Sequence, residues 1–107
     1  MDKQKLFDAL DERIEVTLDL GEFHERLAGQ TAPVWLNPPR AKLLDINKIE
    51  DKDERGIQRI GLQLGLTPDE ARTLFSKDAA FCDWLVTRVV EMTNQYSEGR
   101  RKKSATD

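Results

Sequence analysis

Val34-Trp35-Leu36-Asn37-Pro38-Pro39-Arg40 is where the chain changes its character. N-terminal to it apolar residues alternate with polar ones, the period of a half-buried strand; C-terminal to it they recur every three or four, the period of a helix. The heptapeptide holds both halves. Val34-Trp35-Leu36 is a brief extended apolar segment. Asn37 can cap backbone amides, and a proline at the first helical positions has no amide to leave unsatisfied and a φ already suited to the first turn. Asn37-Pro38-Pro39 therefore reads as the start of a helix from about Pro39 to Ile49, with Leu43, Leu44, Ile46 and Ile49 as its apolar residues.

Working outward toward the N-terminus, Ile14-Glu15-Val16-Thr17-Leu18-Asp19-Leu20 alternates strictly and is rich in β-branched residues, which favours a strand. Gly21 punctuates it. The next segment, Glu22–Leu27, suits either one helical turn, with Phe23 and Leu27 four apart, or a return strand, and the return strand is the reading adopted. Gly29–Pro33 is read as loop, so the sheet expected is small and antiparallel. Ahead of it, Lys3–Glu12 reads as a short helix with Leu6, Phe7 and Leu10 on one buried face.

Toward the C-terminus, Glu50–Glu54 reads as a solvated acidic linker separating the Pro39–Ile49 helix from a third, whose core face carries Ile57, Ile60 and Leu64 and whose stop is Gly65. Gly61 weakens that helix. Thr67-Pro68-Asp69-Glu70 is the clearest local signal: threonine at the cap, proline at the first position and glutamate three after the cap form a capping box opening a helix to about Phe75. A last helix, from near Asp78 to Tyr96, carries the stripe Phe81, Leu85, Val89, Met92 and Tyr96, widened by Cys82, Val86 and Val90. The fold class expected is α+β and predominantly α-helical: a short N-terminal hairpin followed by a small helical bundle. Residues 1–97 read as one globular domain and residues 98–107 as a disordered basic tail.

Size and charge narrow the function classes. A chain of 107 residues buries roughly 65% of its unfolded surface, enough for one core. Hydrophobic residues at 38% and charged residues at 35% describe a folded interior under a heavily charged exterior. No apolar run approaches the roughly 20 residues that span a bilayer, and no signal-peptide stretch follows Met1, so a cytoplasmic protein without membrane contact is expected. Residues 1–99 hold 13 basic against 19 acidic residues, a charge of −6, whereas residues 100–107 hold four basic residues against Asp107, or +3. An acidic body argues against wrapping duplex DNA, since non-specific affinity comes from neutralising phosphates; only Arg100, Arg101, Lys102 and Lys103 offer an anion contact.

Each chemical motif fails on its own requirements. Asn-Pro-Pro followed by an aromatic residue is the catalytic tetrapeptide of amino-methyltransferases, but here the fourth residue is Arg40, and no glycine-rich turn for a methyl donor is present. Asp51-Lys52-Asp53-Glu54-Arg55-Gly56 resembles the opening of a calcium loop, yet position five is Arg55 and position twelve, which should supply a bidentate carboxylate, is Leu62. His24 and Cys82 are the only histidine and cysteine, too few for a structural zinc site, and nothing in the sequence brings them together as a nucleophile pair. Cys82, in an apolar run, reads as a buried structural thiol. The sequence nominates no catalytic, cofactor-binding or metal-ligating residue. Ile57–Phe75 has the outline of a DNA-binding helix-turn-helix, but its second helix opens with Asp69 and Glu70 where phosphates would approach, leaving only Arg72 and Thr73 as donors.

The order of elements carries one resemblance: an alternating strand region (Ile14–Leu27), an apolar strand passing through proline into helix (Val34–Leu44), a capped helix after Gly-Leu-Thr-Pro (Gly65–Phe75) and a hydrophobic last helix (Asp78–Tyr96). This order resembles the small tail assembly chaperones of long-tailed bacteriophages. Lys3–Glu12 is not part of that pattern. The resemblance implies a non-enzymatic assembly factor, itself a homo-oligomer, that binds tail-tube or tape-measure proteins through apolar surface and needs no cofactor. Phe23, Trp35, Leu36, Trp84 and Val90 are the candidate partner-binding residues. The alternatives are a helix-turn-helix regulator and a small acidic inhibitor of a host protein, whose surface would mimic nucleic acid.

Overall fold

The computed structural model describes the backbone of residues 1–106 and the side chains of residues 1–99. Helix α1 (Lys3–Asp11) precedes strands β1 (Glu15–Asp19) and β2 (Thr31–Trp35), which form a two-stranded antiparallel sheet. Four helices follow: α2 (Arg40–Asn47), α3 (Lys52–Gln63), α4 (Pro68–Phe75) and α5 (Ala79–Thr106). The fold is thus α+β and predominantly helical, as the change of period at Asn37 implies.

The return strand is not Glu22–Leu27. That segment folds into two single 3₁₀ turns, Leu20–Glu22 and Glu25–Leu27, each opened by a side chain that satisfies a local amide. Asp19 accepts from the Gly21 amide at 2.8 Å, and the Nδ1 of His24 accepts from the Arg26 amide at 3.0 Å. These local bonds compete with a strand ladder and win. The true partner, β2, includes residues that composition marks as loop. Its register sets Val16 opposite Val34 and Leu18 opposite Ala32. The Leu20 amide bonds the Gln30 carbonyl and the Leu36 amide the Ile14 carbonyl, so the even-numbered β1 residues occupy the hydrogen-bonded pairs. Thr17 and Pro33 then meet in a non-bonded pair, where the missing N–H of proline points away from β1 and costs the hairpin nothing.

Asn37 does not cap α2. The cap position is Pro39, which makes no side-chain bond, and Asn37 turns back onto the hairpin instead. Its Oδ1 accepts from the Ile14 amide at 2.8 Å and the Trp35 indole at 3.0 Å, while its Nδ2 donates to the Glu12 carbonyl at 2.7 Å. One side chain therefore locks the α1–β1 joint to the end of β2.

Asp51 caps α3, accepting from the Glu54 amide at 2.9 Å, so the acidic stretch is not a linker but the start of a helix. Gly65, at φ +74°, closes α3 in the left-handed conformation that glycine adopts cheaply. Thr67 and Glu70 form the expected reciprocal capping box at the start of α4. Gly61 is buried for a packing reason: a Cβ there would lie 2.6 Å from the Cβ of Ala71, so its absence lets α3 and α4 approach closely. Asp78 accepts from the Phe81 amide at 3.1 Å at the head of α5. That helix continues to Thr106 rather than ending at Tyr96.

Leu18, Val34, Leu36, Ile60, Leu64, Phe81, Leu85 and Val89 form the core, where the inner face of the hairpin meets α3 and α5. Two buried glutamines of α3 tie it to its neighbours, Gln63 to β2 and α5 and Gln58 to α4. Gln63 donates to the Trp35 carbonyl at 3.1 Å and to the Thr93 hydroxyl at 2.9 Å, and Gln58 donates to Glu54 at 2.9 Å and to the Pro68 carbonyl at 3.2 Å. Burying an amide is tolerable only when it is bonded in this way.

One expectation fails outright. The apolar face of α1 is not buried: Leu6, Phe7 and Leu10 stand 37%, 55% and 67% exposed, and no residue of the helix is buried. Periodicity reports which side of a helix is apolar, but not whether anything lies against it.

Candidate protein-interaction site

Two exposed apolar features stand out among the described residues. The first is the α1 face just given. The second is a groove of about 570 Å³ between α3 and α5, floored by Ile57, Ile60, Phe75, Val86 and Val90. Lys52, Asp53 and Arg59 line its polar margin. Val90 is 45% exposed there, next to the fully buried Val89.

The five residues singled out from sequence separate in space. Leu36 is a core residue, 8% exposed, and does not present a free surface. Phe23 and Trp84 are half-buried and stack with Phe81, ring centroids 5.3 Å (Phe23–Phe81), 5.6 Å (Phe23–Trp84) and 5.9 Å (Phe81–Trp84) apart. That aromatic triad pins the 3₁₀ segment onto α5. Trp35 shares the odd-numbered, outer face of the hairpin with Glu15 and Thr17, its indole N–H taken by Asn37 and its ring covered by the Arg13 guanidinium at 4.2 Å. Arg13 is in turn held by Glu15 at 2.7 Å. Of the five, Val90 lines an open apolar surface. The expected anion contacts of Arg100, Arg101, Lys102 and Lys103 lie outside the described side chains.

Leu6, Phe7, Leu10 and Ile57 are the residues that sequence reasoning assigned to the core rather than to a surface. The one available signal was that Lys3–Glu12 stands apart from the rest of the element order.

Electrostatics around the helix starts are local. Hydrogen bonds from Gln58 and then Arg72 hold the Glu54 carboxyl below its usual range, and the Thr67 amide does the same for Glu70. The Phe81 amide, with Arg26 at 2.6 Å, lowers Asp78. Burial pushes the Cys82 thiol up. Arg72, the chief donor of a would-be recognition helix, is tied to Glu54 at 2.7 Å and to Asp69 at 2.8 Å. Two of its three guanidinium nitrogens are thus taken by carboxylates, whose negative charge opposes an approaching phosphate.

Among the described residues no three His, Cys, Asp or Glu side chains converge as metal ligands would, and no helix is long and apolar enough to cross a membrane. No family model, curated protein or solved structure matches the chain.

Proposed function

We propose that the protein is a non-enzymatic assembly factor that holds partner proteins through apolar surface. The observation that carries this reading is the α1 face, where Leu6, Phe7 and Leu10 are displayed on a helix that contributes nothing to the core. Displaying a leucine–phenylalanine–leucine stripe to water forgoes burial worth roughly 1.5–3 kcal/mol per side chain, a loss recovered when a partner covers it. In its finer form the partners are phage tail proteins, a tail-tube or tape-measure subunit, and the support for that form is the order of elements alone.

The test is photo-cross-linking in the native host from a benzoylphenylalanine placed at position 7. A defined second polypeptide, lost on Leu10→Glu, is the expected result, and a tail-tube or tape-measure protein would establish the finer form. Cross-links to the chain itself only, or none, would overturn the client-binding reading.

A further inference from the structure

We infer that α1 of one copy seats in the α3–α5 groove of a second copy, giving a reciprocal dimer. The inference deepens the assembly reading and rests on it only in treating these apolar faces as binding surfaces. Helix-in-groove docking needs an amphipathic helix with anchors at i, i+3, i+4 and i+7 and a groove long enough to take them. Lys3, Leu6, Phe7 and Leu10 have that spacing. The nine residues of α1 extend about 14 Å, and the groove follows α3 from Lys52 to Gln63, about 18 Å.

The charges match as well. Lys3 heads the apolar stripe and Asp11 ends it, while Asp53, with Lys52 beside it, and Arg59 stand at the groove margin; none of the five takes part in an ion pair among the described residues. With α1 parallel to α3, Lys3 meets Asp53 and Asp11 meets Arg59. The axial separations, about 12 Å along α1 and about 9 Å along α3, differ by less than the reach of the long side chains.

The occupant is a second copy because the chain's own α1 is tethered away. Asn37 bonds both the Glu12 carbonyl and the Ile14 amide, on either side of Arg13, and so fixes the joint from which α1 would have to swing. A two-fold axis then makes each helix–groove contact twice, which doubles an interface that one nine-residue helix could not sustain alone.

Sedimentation across a concentration series should show a monomer–dimer equilibrium. Phe7→Asp and Val90→Glu, both at exposed positions, should each weaken it about tenfold or more with an unchanged circular dichroism spectrum. Mixing a Phe7→Cys chain with a Val90→Cys chain under mild oxidation should give the mixed disulfide; Cys82, 7% exposed, does not compete. A monomer at every concentration, a dimer indifferent to both charge substitutions, or an intrachain bond in the dilute Phe7→Cys/Val90→Cys double variant would each overturn the inference. Because α1 cannot seat in a second copy and hold a client at once, the dimer is the client-free form, in which position 7 cross-links to a second copy. The additional cross-link to another polypeptide tests client binding; its loss leaves the sedimentation and disulfide results standing, just as a strict monomer leaves that cross-link standing.

Discussion

The side-chain oxygen of Asn37 lies 2.8 Å from the main-chain nitrogen of Ile14, across 23 residues of sequence. This bond joins the segment leading into the helical region to the residue just ahead of β1. Asn37→Ala removes it together with the bonds to the Trp35 indole and the Glu12 carbonyl, each worth about 0.5–1.5 kcal/mol net. The expected loss is roughly 2–3 kcal/mol, read as a lower urea midpoint at unchanged slope. Asn37→Asp, which keeps the acceptor and loses the donor, should fall between the two.

Gly61→Ala sets helix propensity against packing. Alanine gains up to about 1 kcal/mol in a helix interior. The new methyl would lie 2.6 Å from the Ala71 Cβ, and forcing two helices apart costs about 1–3 kcal/mol. A net loss is expected, and Gly61→Ala combined with Ala71→Gly should recover part of it. A double-mutant cycle with no coupling would show that the contact is relaxed.

Trp84→Ala opens the triad with Phe23 and Phe81. Because Trp84 is only half-buried, the expected loss is about 2–3 kcal/mol, below that of a fully buried ring. The dimerisation constant should not change once unfolding is accounted for, since neither α1 nor the groove contains this residue.

Acid should destabilise the fold through three carboxylates. Glu54, Glu70 and Asp78 are held below their unfolded values, near 4, so their contribution is complete above about pH 5 and is lost as pH falls through the folded values. Glu70→Gln should make the acid limb of a midpoint-versus-pH curve shallower. Thr67→Ala should cost about 1 kcal/mol at neutral pH through the lost cap. At the alkaline end the sign reverses for Cys82: its raised folded value means stability declines as pH rises past about 8.5.

Nucleic acid should not bind. With Arg72 engaged by Glu54 and Asp69, retention on DNA at low salt is expected to be absent. Salt-sensitive retention abolished by deleting residues 100–103 would instead give the basic segment a role.

The helical half of the fold was legible because its signals are local. Thr67 and Glu70 are three residues apart, and the stripe from Phe81 to Tyr96 repeats on one helix. The sheet was legible only in part. β1 shows itself by alternation, but β2 contains Thr31, Ala32 and Pro33, and its place is set by bonds to distant parts of the chain, from Asn37 back to Glu12 and Ile14 and from Gln63 to the Trp35 carbonyl. At the candidate site, Val90 could be found from its position at the edge of a stripe, whereas the exposure of Leu6 and Phe7 depends on which surfaces remain when the core is complete.

The position of Pro33 decides which way the sheet could grow. On the outer margin of β2 the proline offers no N–H, and the Trp35 carbonyl is taken by Gln63, so an incoming strand would find little to pair with. The outer margin of β1 keeps the main-chain groups of Glu15, Thr17 and Asp19 turned away from β2. There the guard is charge: Asp19 on one side of Thr17 and the Arg13–Glu15 ion pair on the other put charged side chains along the edge, which discourages an incoming strand. Backbone chemistry thus closes one margin of the hairpin while electrostatics patrols the other.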